Sequence, residues 1–69
     1  MRKVRVHILA DNIEPELAAD AILYAERGAA AGLSPDEVAD DLRAQGLVPA
    51  EIPLFVSEAD DLLTVVIGA

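Results

Sequence analysis

Gly32-Leu33-Ser34-Pro35-Asp36-Glu37-Val38 is the stretch on which the fold of this sequence turns. A helix start is written into it three times over. Ser34 can cap the first turn, and Pro35 suits the first helical position because its missing N–H would have no partner there. Glu37 stands three residues after the serine, where its carboxylate can reach back to the serine N–H and complete a capping box. The stretch opens on glycine, the residue that most readily takes the left-handed conformation closing a preceding helix. One helix therefore ends near Gly32 and a second begins at Pro35, running to Gln45 with Gly46 as its stop.

Upstream, Pro15 marks the start of the first helix, flanked by Glu14 and Glu16, which complement the positive helix end. That helix is expected from Pro15 to Ala30, with Gly28 an earlier but poorer terminator than Gly32. On a helical wheel Leu17, Ala18, Ala21, Ile22, Tyr24 and Ala25 form the inner stripe, opposite Glu16, Asp20, Glu26 and Arg27. Leu23 falls among the polar residues. In the second helix Val38, Ala39 and Leu42 face inward, while Asp36, Asp40 and Arg43 face outward. The opening stretch is echoed by Gly46-Leu47-Val48-Pro49-Ala50-Glu51-Ile52, but Pro53 limits the second copy to about one turn. Two copies at one spacing do not make a repeat protein.

The two ends of the chain read as strands. Residues 2–9 alternate, with Val4, Val6 and Ile8 on one face and Lys3, Arg5 and His7 on the other. Asp11-Asn12 then makes a turn. Residues 54–56 and 62–67 are dense in β-formers, and residues 57–61, Ser-Glu-Ala-Asp-Asp, are expected to connect them as a hairpin. The later strand has only Thr64 as a polar break, so it belongs in the centre of the sheet. The fold class is α+β in the order β-α-α-β-β: a three-stranded, mainly antiparallel sheet with two helices packed on one face.

With 69 residues the chain holds one domain, residues 1–69, and one core. A core of this size leaves about 3–5 kcal/mol of net stability, which small proteins supplement with disulfides, a metal or a partner. There is no cysteine and one histidine, so neither a disulfide nor a histidine-based metal site is available, and no cofactor is expected. A second copy becomes the favoured supplement, giving a homodimer. Absence of cysteine and of a signal-peptide apolar core fits a cytoplasmic protein. No apolar run approaches the roughly 20 residues of a membrane span.

The formal charge is −8, from 13 acids and 5 bases, and Arg2, Lys3 and Arg5 precede every acid. A field of that sign repels the nucleic-acid backbone. Residues 28–46 nevertheless resemble a helix-turn-helix in spacing, so a DNA-binding regulator is the alternative function. Against it, the would-be recognition helix presents Asp36, Glu37, Asp40 and Asp41, whereas base and phosphate readout calls for Arg, Lys, Asn or Gln. The adjacent pairs Asp40-Asp41 and Asp60-Asp61 do not converge as catalytic or calcium-binding carboxylates, and no catalytic residues are assigned.

What remains is apolar surface without a home. With the helices on one face, the other face presents Phe55, Leu62, Thr64 and Val66, and Leu23 adds an apolar residue elsewhere; such surface marks an interface. Lys3, Arg5 and His7 beside it, and Asp36, Asp40 and Asp41 on the second helix, are candidates for charged contacts. Pairing of the basic row with Glu58, Asp60 and Asp61 inside the sheet is expected to compete with any such contact. The function expected from these features is that of a small, acidic, non-enzymatic protein-binding module, an adaptor or inhibitor of a cellular protein, of the kind found among bacterial and phage accessory proteins.

Overall fold

The computed structural model describes residues 2–68. Its elements are β1 (Lys3–Ile8), α1 (Pro15–Ala30), α2 (Pro35–Ala44), β2 (Leu54–Ala59) and β3 (Leu62–Ile67). The order β-α-α-β-β and the α+β class are those expected. The sheet order is β1-β3-β2, with β3 parallel to β1 and antiparallel to β2, so the sheet is mixed rather than mainly antiparallel. The two helices carry the chain away from β1, the hairpin returns β3 alongside it, and a hairpin can only be antiparallel within itself.

Capping chemistry divides the helices as the residues dictate. Ser34 accepts from the Glu37 N–H at 3.2 Å, and Glu37 accepts from the Ser34 N–H at 3.0 Å. Each helix then ends in a glycine of positive φ, Gly32 at 80° and Gly46 at 72°. At both ends the following leucine N–H reaches back five residues, Leu33 to the Gly28 carbonyl and Leu47 to the Leu42 carbonyl. That is the six-residue closure that satisfies the last helical carbonyls.

The core lies between the helices and one sheet face. Leu63, Val65 and Ile67 of β3 are buried against Ala21, Ala25 and Ala29 of α1 and Val38 and Leu42 of α2, with Leu47, Val48 and Ile52 closing the end. α1 packs on β1, and α2 packs on β2 and on α1. The buried stripe of α1 is made of small residues, which lets the helices approach: a methyl group at Gly28 would sit 3.1 Å from Val38 Cγ2. Ile22, expected on the inner stripe, is instead 39% exposed, because the buried arc centres on Ala21, Ala25 and Gly28 and leaves residue 22 at its margin.

The hairpin also differs from the expected five-residue connection. β2 continues through Ser57, Glu58 and Ala59, and Asp60 and Asp61 alone form the turn, both with positive φ (53° and 61°). Two-residue turns of this kind match the right-handed twist of the strands they join, and aspartate tolerates the conformation better than most residues. Gly68 closes the far end, with φ 94° and its N–H on the Pro53 carbonyl at 2.8 Å. A Cβ there would lie 2.6 Å from the Ala10 backbone nitrogen.

Candidate functional site

The strand register lays out the open face of the sheet residue by residue. Lys3, Leu62 and Ala59 lie in one row, Arg5, Thr64 and Ser57 in the next, and His7, Val66 and Phe55 in the third. Side chains alternate between faces along a strand, so these rows share the side opposite the buried Leu63, Val65 and Ile67. Leu9 continues the alternation past His7, and its N–H on the Ile67 carbonyl extends the ladder by one residue. Phe55 is 69% exposed and Leu9 56% exposed, while Leu62, Thr64 and Val66 on the central strand are half-buried.

The structure thus brings together Phe55, Leu62, Thr64 and Val66 beside Lys3, Arg5 and His7. Leu23 is not part of this group. It is 43% exposed on the side of α1 turned away from the sheet, close in sequence to the exposed Ile22. Asp36, Asp40 and Asp41 lie on α2, across the molecule from the open face. Leu9, Ser57 and Ala59 are open-face residues that sequence reasoning did not single out: the alternation that places Lys3, Arg5 and His7 there runs straight on to Leu9, whereas Ser57 and Ala59 fell in the expected hairpin connection.

The electrostatics of the two sides are opposite. None of the chain's 13 acids occupies an open-face position among the described residues, whereas Lys3 and Arg5 both do. The expected internal pairing of the basic row with the hairpin acids does not occur. β3 stands between β1 and β2, and the longer β2 places Glu58 in register with Leu63, on the helix side of the sheet. There its carboxylate lies 3.3 Å from the Arg2 guanidinium. Arg2 also donates to the carbonyls of Ala29 (3.2 Å) and Leu33 (2.5 Å), holding the end of α1 and the turn after it. Its bond to negative helix-end carbonyls is the favourable polarity for a cation.

Arg43, expected on the outer stripe of α2, is half-buried and does similar work at the other turn. It donates to the Pro49 carbonyl and, at 2.8 Å, to the Ile52 carbonyl. Tyr24 carries the Arg27 guanidinium 5.6 Å above its ring, a contact on the surface of α1.

On the helical side a shallow, open depression of about 410 Å³ is lined by Leu33, Glu37, Asp40, Asp41 and Ala44. The capping bonds from Ser34, backbone first and hydroxyl second, hold the Glu37 carboxyl below the usual carboxylate range. That carboxylate is thus engaged by its own helix. Among the described residues no group of three or more His, Cys, Asp and Glu side chains is arranged to hold a metal ion, and no helix is long and apolar enough to cross a membrane. The chain matches no protein-family model, no curated protein and no solved structure.

Proposed function

We propose that the protein is a non-enzymatic protein-binding module, an adaptor or inhibitor of another protein, and that it binds through the open face of its sheet. The observation that carries this reading is Phe55, 69% exposed at the corner of a face whose centre is Leu62, Thr64 and Val66. A large aromatic held on a strand and backed by apolar neighbours is the kind of anchor around which binding energy concentrates. The acid-free face in a chain of charge −8 adds selectivity, because Lys3 and Arg5 draw in partners that carry carboxylates.

Self-association belongs to the same reading. Stacking two open faces about a dyad parallel to the strands sets β3 on β3 and Phe55 over the partner's β1, away from Lys3 and Arg5 of its own chain. Three strands of six residues span a flat area of only about 300 Å² at ordinary strand spacings. Stable complexes bury about 800 Å² per partner, so this homodimer is a reversible one.

Two measurements test the reading together. Sedimentation from micromolar to millimolar concentration should show reversible dimers of the wild type and monomers of Phe55→Lys, which sets like charge against the basic row of the partner's β1. A photo-crosslinker at residue 55 or 66 should then capture protein in the cells that make the molecule, and one at residue 26 on α1 should not. Equal capture from both sides, or capture from neither, would overturn the assignment of the open face.

A further inference from the structure

We propose that the free edge of β1 accepts a strand from another protein, one whose side chains alternate between acidic and apolar. The proposal rests on the protein-binding reading and names the chemistry of the partner. Lys3 donates its N–H to the Asp61 carbonyl at 2.8 Å and Leu9 its N–H to the Ile67 carbonyl at 2.7 Å. Backbone groups alternate in direction along a strand, so the N–H and C=O groups of Val4, Val6 and Ile8 point away from β3. No strand pairs with that side of β1 among the described residues.

The sheet has two edges, and they are not equivalent. β2 carries a deterrent to strand pairing: Glu58 puts a charge on its inner face, tied to Arg2. β1 keeps register with β3 from Lys3 to Ile8 and carries Val4, Val6 and Ile8 on its inner face, while Arg2, immediately before it, is drawn off to the helix-end carbonyls and Glu58. Those three are half-buried, whereas Leu63, Val65 and Ile67 beside them are fully buried. The sides of Val4, Val6 and Ile8 turned toward the free edge are open to solvent, where apolar side chains of an added strand can lie against them.

Charge decides the occupant. A strand laid against β1 places every second side chain on the open face, directly beside Lys3, Arg5 and His7. A second copy pairing β1 with β1 about a dyad perpendicular to the sheet would set this row against itself, and like charges directly opposite are destabilising. A foreign strand with carboxylates at alternate positions and apolar residues between them satisfies both faces at once, while its backbone satisfies the edge.

The test uses the whole chain and three probes: a Glu-Val-Glu-Val-Glu-Val peptide, the same peptide with Lys for Glu, and an oligothymidylate. By NMR the acidic peptide should slow amide exchange at Val4, Val6 and Ile8, and added salt should weaken it. Charge reversal by Lys3→Glu with Arg5→Glu should exchange the peptide preference, each affinity shifting about tenfold or more, as two or three cross-strand charge pairs imply. In a synthetic chain, N-methylation of Val6 should abolish peptide binding with the sheet intact, since that N–H takes no part in the β1–β3 ladder. Unchanged exchange at β1, perturbation confined to Phe55 and Val66, or tighter binding of the oligothymidylate each overturns the proposal. Crosslinking from residue 55 that persists after such a result would sink the strand-accepting edge while leaving the open-face reading intact.

Discussion

Two segments of this chain share the pattern Gly-Leu-x-Pro-x-Glu-apolar, residues 32–38 and 46–52, and only one of them becomes a helix. Both begin alike, with a glycine of positive φ and a leucine N–H closing the helix before it. They part at the third position. Ser34 is exposed and caps its own helix, whereas Val48 is a buried core residue without a group to donate or accept. The second segment is held from outside instead, by Arg43 on the carbonyls of Pro49 and Ile52, and Pro53 has no N–H with which to continue a helix. A similar local pattern thus ends in a self-sufficient helix start in one place and in a turn that depends on a cation from the preceding helix in the other.

Converting the second segment into the first gives the largest expected effect. Val48→Ser restores Ser-Pro-Ala-Glu, yet it removes a buried side chain and puts a hydroxyl in its place, so a loss of about 3 kcal/mol is expected. Urea denaturation should place this variant at or near its midpoint without denaturant, and circular dichroism should show no added helix; a helical gain would mean that Pro53 does not limit the segment. Arg43→Met should cost about 2 kcal/mol, since two carbonyls lose a charged donor. Its amide exchange should quicken over residues 49–52 before it quickens in α2, and uniform quickening would deny the turn its separate dependence on Arg43.

Smaller effects belong to the self-sufficient segment. Ser34→Ala should cost about 1 kcal/mol through loss of the cap, read as a lower melting temperature with the open-face NMR shifts unmoved. The smallest effect is in pH. The native Glu37 carboxyl titrates below its unfolded value, so its contribution is complete above the usual carboxylate range and is lost as pH falls through the lowered native value. The stability gap between wild type and Glu37→Gln should therefore close on acidification, and a gap that widened would contradict the capping geometry.

The elements whose signals are local are legible in the amino-acid sequence. The capping box, both glycine stops, the alternation of β1 and the central place of β3 each depend on residues within a few positions of one another. The open face follows from alternation alone, which is why Phe55, Leu62, Thr64 and Val66 are found together. Other features depend on register or reach. Taking residues 57–61 as the hairpin connection hides the fact that a two-residue turn at Asp60 and Asp61 fixes Glu58 on the helix side. Arg2 and Arg43 find carbonyl partners that carry no side-chain signature, some of them more than twenty residues away in the case of Arg2. Ile22 shows the limit of the wheel: a stripe of alanines and a glycine outcompetes a larger side chain because close helix packing favours small residues there.

The central strand is also the last of the five elements to be made, and both other strands pair with it and not with each other. Synthesis can proceed through both helices and β2 without yielding any sheet, so β1 waits, unpaired, for a partner more than fifty residues downstream. Such distant pairing slows folding relative to local contacts.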